Sequence, residues 1–279
     1  MGSVSRSRFF WSPIVTRRWI ASPTLKASAA VHAAALGALT IPTAWPWALG
    51  ALAANHAALT LAGMLPRSSL LGPNLTRLPA AASARREVAL TFDDGPDPEI
   101  TPRVLDLLDA ADVKASFFCI GRCARQQPVL CRQIVARGHR VENHGDAHSR
   151  VFSLFGPARM RADIIEAQIT LTDITGQAPL FFRPTAGLRN PFLDPVLAGL
   201  DLQLAAWTRR PYDTREGRPS RVLQRLIRGL AAGDILLMHD GHGARTPEGH
   251  AVILETLPIL LHTLAAHRLR AVTLAGALT

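Results

Sequence analysis

The sequence predicts an α/β fold, a small or incomplete barrel of about seven parallel strands, behind an N-terminal helical membrane segment. Two patterns lead there. From Glu87 onward, short apolar runs alternate with amphipathic stretches of helical period, the signature of parallel strands covered by crossover helices. Before Glu87 lies a long uncharged tract rich in Ala and Leu, bounded by basic residues at both ends.

The 279-residue chain is 48% hydrophobic and carries a net charge of +10. Residues 1–86 hold nine Arg or Lys and no acid, whereas the remaining 193 residues hold 22 basic and 21 acidic side chains. A nucleic-acid domain would cluster its basic residues within the folded part, so the near balance there argues against that class. The basic excess instead flanks 40 residues, Ala27 to Pro66, that contain no Asp, Glu, Lys or Arg. Arg6, Arg8, Arg17, Arg18 and Lys26 precede the tract, and Arg67, Arg77, Arg85 and Arg86 follow it. Residues 1–26 read as a basic segment and 27–66 as a helical hairpin of two transmembrane spans, with the PTAWPW stretch (42–47) as its turn. Residues 67–86 form a linker, and basic flanks on both sides place both ends in the cytoplasm. A single pass would instead put the folded domain outside.

Residues 87–279 make up the catalytic domain. EVALTF (87–92) reads as a strand, and ITPRVLDLLDAADV (100–113) as a helix with Val104, Leu107, Leu108 and Ala111 on one face. Further strands are expected at 114–120, 139–142, 178–183, 202–207, 234–239 and 270–274, with helices at 126–137, 157–175, 219–231 and 248–265. Cys119, Cys123 and Cys131 give no even disulfide framework and read as small buried residues.

Polar residues gather at strand ends, where parallel α/β folds bind ligands. Asp93 and Asp94 end the first strand, His144 and His148 follow the third, Arg183 follows another, and His239 ends DILLMH. Two imidazoles and a carboxylate suit zinc and leave positions open for water and substrate. One aspartate can bind the metal while its neighbour takes a proton, Arg183 can hold that base, and His239 is a natural acid that Asp213 can orient.

TFDDGP, HGDAH, FFRPTAG, WTRRPYD and ILLMHD occur in the order seen in the NodB-like polysaccharide deacetylase family, carbohydrate esterase family 4. The chain resembles a member of that family over residues 87–279. The resemblance implies a distorted (β/α) barrel that deacetylates sugars with one divalent metal, zinc being the expected ion. It implies that Asp93 is the base, Asp94, His144 and His148 the metal ligands, and Arg183 the partner of the base. His239 matches the acid, Asp213 its partner, and Leu237 the leucine of the acetyl pocket, with Trp207 nearby. The backbone N–H of Ala186 matches the donor that holds the substrate oxygen.

Three departures stand out. Gly145 replaces a Ser or Thr, Ala186 an aromatic wall, and Arg210 and Thr214 an acid and a tryptophan of the family pattern. The substrate is expected to be an N-acetylated amino sugar in a polysaccharide or on a lipid carrier. A formamide or other small amide is the alternative. A non-catalytic carbohydrate-binding relative would have lost a ligand, base or acid, and each is present here. The expected setting is the bacterial inner membrane with the catalytic domain in the cytoplasm, or facing the exterior if there is one span. No protein partner is predicted.

Overall fold

The structure, a computed structural model, describes residues 18–279. Arg6, Arg8 and Arg17 of the expected basic flank lie outside the described residues.

Seven strands form the described sheet: β1 (Glu87–Asp93), β2 (Ser116–Cys119), β3 (Arg140–Asn143), β4 (Phe181–Phe182), β5 (Gln203–Leu204), β6 (Ile235–His239) and β7 (Arg270–Val272). They run parallel in the order β5-β4-β3-β2-β1-β6, with β7 on the N-terminal half of β1. β1 is therefore central, and all seven of its residues are buried. Its two faces have different jobs. Val88, Leu90 and Phe92 pack with Leu236 and Met238 of β6 beneath the outer helices. Ala89 faces the other way, into a cluster with Phe118, Phe181, Trp207, Ile235 and Leu237. The period of two along a strand puts Thr91 and Asp93 on that inner side, with Leu237 and His239 beside them in register.

The sheet curls until its ends meet. Beyond β5 the chain runs on so that Arg209 pairs with Leu236, and the Leu237 N–H donates to the Arg209 carbonyl at 3.0 Å. This is the incomplete barrel expected from the alternation. β4 and β5 are shorter than the apolar runs suggested, each only two residues. For β4 the cause is local: Pro179 and Pro184 bracket it, and proline donates no ladder hydrogen bond.

Several helix bounds differ from expectation: the helix expected at 100–113 ends at Ala110, that at 219–231 ends at Ile227, and the short helices Ala80–Ala84 and Leu274–Ala277 were not foreseen. The helix expected at 126–137 is two, Gly121–Gln126 and Pro128–Ala136, because Pro128 opens a helix well and cannot continue one. Leu193–Ala198 was not foreseen, and its six residues are too few to show a period. The last long helix starts at Val252. Pro157–Thr175 matches its expected bounds and ends on Gly176 in the left-handed region, φ 70°, a common helix stop. Cys119 and Cys131 are buried free thiols, as expected.

The N-terminal tract does form a helical pair, Pro23–Ala38 and Trp45–Met64. The two-span reading is not supported. Among the described residues, no helix is long and apolar enough to cross a membrane. Sixteen residues in the first helix rise roughly 24 Å, short of a hydrocarbon core of about 30 Å. The second is rich in Ala and carries Asn55 and His56 at its middle, and Trp45 and Trp47 begin it instead of forming the turn. Its foot docks on the α/β domain and the linker before it: the Arg189 N–H donates to the Gly63 carbonyl at 3.1 Å, and Leu59 and Ala62 pack against Leu71 of the linker. A side chain at position 63 would collide with the Arg189 carbonyl, 2.1 Å from its Cβ.

Candidate active site

The paired aspartates of β1 point apart. Asp93 keeps the strand's inward direction, whereas Asp94 turns out of the strand with φ 75°. Each meets a different set of partners. Asp93 Oδ1 accepts from Arg183 Nη1 at 2.5 Å. The fully buried Arg183 is held on every side. It donates to Thr91 Oγ1 and to the carbonyls of Ala205 and Ala206, and its guanidinium lies 4.0 Å from the centre of the Phe118 ring. Burial pulls its affinity for a proton below the ordinary value, and the Asp93 charge pushes back. An arginine titrates far above physiological pH, so it stays charged and presents its Nη1 N–H to Asp93.

Asp94 Oδ1 lies 3.1 Å from His144 Nε2 and 3.0 Å from His148 Nε2. These three ligand atoms all fall within 4.8 Å of one another. His144 Nδ1 is 2.7 Å from the Arg183 carbonyl. A carbonyl only accepts, so Nδ1 carries a proton and Nε2 faces Asp94, donating to it in the charged ring and bare in the neutral tautomer. That tautomer is the one a metal ligand needs. The donor set fits one divalent cation, with imidazole and carboxylate suiting zinc and its neighbours. Burial raises the Asp94 carboxyl, but the hydrogen bonds from His144 and His148 outweigh it and hold the group well below the usual range.

His239 stands opposite Asp93 in the β1–β6 register. Asp213, wholly buried, spends both oxygens on it: Oδ1 is 2.7 Å from His239 Nδ1, and Oδ2 accepts the His239 backbone N–H at 2.8 Å. Burial alone would lower the imidazole. The charge and hydrogen bond of Asp213, helped by Asp93 and Asp94, reverse this and push it up to about 9. His239 is thus protonated at neutral pH, beside the Asp93 carboxyl.

Asp93, Asp94, His144, His148 and His239 line one cleft of about 550 Å³, which Ala186, Trp207 and Leu237 also line. The structure therefore brings together every residue singled out from the sequence, with Arg183 and Asp213 behind the wall. Ala186 sits in a tight turn at φ 57°. Gly187 follows because a Cβ there would lie 2.5 Å from the Trp207 ring.

Four contributors were not foreseen. Asp163, from the helix Pro157–Thr175, accepts the N–H groups of Asp146 and Ala147, and Asn143 Oδ1 accepts that of Gly145. The HGDAH loop is fastened by these carbonyl and carboxylate oxygens, so Gly145 forfeits no closure. Asp240 receives Thr101 Oγ1 at 2.5 Å and, chiefly through burial, is pushed up to about 7. Gly95 must lack a side chain to pass it, since a Cβ would lie 2.4 Å from Asp240 Oδ2. His242 brings Nδ1 to 3.3 Å from Asp94 Oδ2 and stacks on His148 with ring centres 5.8 Å apart. Its only sequence signal is a second histidine in HDGH.

Gly145 has φ +78°, and a Cβ on it would lie 2.6 Å from Asp163 Oδ2. Gly145→Ala is expected to cost about 1–2 kcal/mol for the backbone alone, read by urea unfolding. It should also weaken metal binding, because the same loop carries both histidines. Unchanged stability and metal affinity would show that the loop tolerates a side chain.

Residues 80–205 match the family model described as polysaccharide deacetylase. That stretch includes Asp93, Asp94, His144, His148 and Arg183 and stops short of Asp213 and His239, which the β1–β6 pairing brings alongside. Over 175 residues the chain is 33% identical to a peptidoglycan-N-acetylglucosamine deacetylase of Bacillus cereus, covering 62% of this chain and 81% of that one. A chitooligosaccharide deacetylase of Bradyrhizobium is 35% identical over 161 residues, 57% of this chain and 73% of the relative. Among solved structures, a peptidoglycan N-acetylglucosamine deacetylase in complex with 4-naphthalen-1-yl-N-oxidanyl-benzamide superposes with a TM-score of 0.66 at 28% identity. The match covers 73% of this chain and 92% of that one.

Proposed function

This chain belongs to the polysaccharide deacetylase family, and from that premise we propose that it is a metal-dependent hydrolase. It removes the N-acetyl group from an amino sugar of a glycan and releases acetate. The observation that carries the reading is the Asp93–His239 pair, base and acid in register on adjacent strands, beside the Asp94–His144–His148 ligand set. Asp94, His144 and His148 would hold the metal, which supplies a Lewis acid that polarises the acyl carbonyl and makes water easier to deprotonate. Asp93 accepts a proton from the attacking water as the new carbon–oxygen bond forms. The Ala186 N–H donates to the oxygen that gains negative charge. The carbon–nitrogen bond then breaks, and His239 gives its proton to the departing amine nitrogen. Leu237 and Trp207 offer an apolar seat for the acetyl methyl.

The test is acetate release from an N-acetylglucosamine oligomer by the purified chain, with and without a chelator. Metal analysis of wild type and His148→Ala accompanies it. Chelation should abolish release, and His148→Ala should lose most of its metal while keeping its circular dichroism. Full activity in the chelated chain would reject the reading.

The same proposal extends to the setting. Leu36, Ile41, Trp47, Leu61 and Met64 of the N-terminal helices and their connection are each more than half exposed. Apolar faces of this kind beside basic residues suit the interfacial zone of a membrane, where Trp settles readily. We place the chain on the cytoplasmic face of the inner membrane, with a lipid-carried glycan within reach. Flotation with anionic vesicles should carry the full chain, and Trp47→Ser with Leu61→Ser should release it. A reporter fused after Thr279 and active only in the periplasm would put the domain on the other side.

A further inference from the structure

Four arginines line the active-site cleft: Arg122, Arg150, Arg210 and Arg215. None of them makes an ion pair among the described residues. Their neighbours do. Arg209 reaches Asp234 at 2.5 Å, and Arg218 and Arg225 share Glu216. Arg209, Arg218 and Arg225 outside the cleft are thus paired with acids, though Arg221 and Arg228 are not, and the four within the cleft have no paired acid among the described residues. The acids of the cleft do not balance them, because Asp93 is matched by Arg183 and Asp94 is engaged by histidines.

Arg210 is the best defined of the four. Its guanidinium lies 5.1 Å from the ring centres of both Trp207 and Tyr212, which fix its plane. Its Nε is buried without a hydrogen-bond partner. A buried donor left unmatched is costly, and two aromatic rings hold it without using its N–H groups. A planar fork of unspent donors is the form in which arginine binds phosphate in two-pronged fashion.

A neutral acetylated sugar offers these arginines hydroxyl and carbonyl acceptors but no charge to balance them. Resting on the deacetylase reading above, we infer that the substrate of this cleft carries a phosphate group near its acetamido sugar, bound by Arg210 with Arg122, Arg150 and Arg215 around it. A phosphodiester or diphosphate that links the sugar to a carrier has this chemistry, and so does a soluble sugar phosphate.

The test is calorimetric binding of N-acetylglucosamine 1-phosphate and of neutral methyl N-acetylglucosaminide to the metal-loaded chain at low salt. The phosphate probe should bind at least about tenfold more tightly, and the margin should shrink as salt screens the rim. Arg210→Gln with Arg215→Gln should remove most of that margin. Arg215 and Arg150 are exposed, so Arg150→Gln with Arg215→Gln serves should the first pair fold poorly. Equal binding of the two probes would overturn the inference. So would a preference that survives both pairs of substitutions, since that phosphate would be sitting on the metal. Acetate release from the same probes reads the deacetylase proposal separately: tight phosphate binding with no acetate from either probe keeps the anion site and rejects the reaction. A prenyl-phosphate-linked N-acetylglucosamine in micelles, compared with uridine diphosphate N-acetylglucosamine, then separates a lipid carrier from a soluble one.

Discussion

Asp93→Asn is expected to lower acetate release by about 10²–10⁴-fold while metal content stays at the wild-type level. The substitution keeps the shape of the side chain and an oxygen for Arg183 Nη1, now 2.5 Å from Oδ1. What it removes is the basic site proposed to take the proton from water. Asp94→Asn should behave differently, because its oxygens converge with His144 and His148, and it should lose metal and turnover together. A cost in stability accompanies the first variant. Removing one charge from a buried pair leaves the other uncompensated, typically about 3–5 kcal/mol, and Arg183 is wholly buried. The amide oxygen still accepts one hydrogen bond, which should soften that loss. Acetate release, metal analysis and urea unfolding on the two variants decide the matter. Near-normal turnover by Asp93→Asn would mean that the adjacent acids are not divided into base and ligand.

Much of this site was legible because it depends on strand ends. An apolar run that closes on Asp93 or His239 announces a polar group at the rim of a parallel sheet, and the order of such runs gives the set. The two faces of β1 were also readable in outline, since successive residues face opposite sides. What the sequence does not encode locally was missed. Asp163 reaches the HGDAH loop from a helix at least 15 residues further on, and nothing in its own surroundings marks it. The two-residue lengths of β4 and β5 follow from prolines and from the curl of the sheet, which apolar runs do not show. The N-terminal tract was misjudged for a physical reason. Absence of charge suggested two spans, yet Ala and Gly contribute little hydrophobicity, and the second helix docks Gly63 against Arg189. Arg210 was visible as a departure from the family pattern. Its lack of any counter-charge only appears once Trp207 and Tyr212 are seen to hold it.

Asp213→Asn should move the alkaline limit of activity to lower pH and slow acetate release at pH 8 at least about tenfold, on the usual scale for a lost proton donor. In the wild type, burial works against the His239 imidazolium, and the Asp213 carboxylate overcomes it to bring the group to about 9. The acid is therefore protonated below that pH, and activity should fall as pH rises through it. With asparagine in place, burial remains and the main compensating charge is gone, leaving only Asp93 and Asp94 to oppose it, so His239 should titrate well below 9. The acid limb then moves to lower pH. An aryl acetate, whose leaving group scarcely needs a proton, should lose far less than an acetamido sugar, which separates loss of the acid from loss of the site. Stability should follow the same linkage. A group whose folded pKa exceeds its unfolded one stabilises fully below the unfolded value, and that contribution fades as pH rises through the folded one. Wild-type stability should accordingly decline between about pH 6.5 and 9 in a way that Asp213→Asn does not. The pH–rate profiles of both proteins on both substrates, with urea unfolding at pH 6 and pH 9.5, are the measurement. An alkaline limb unmoved by Asp213→Asn would show that His239 is not the group whose proton reaches the leaving amine.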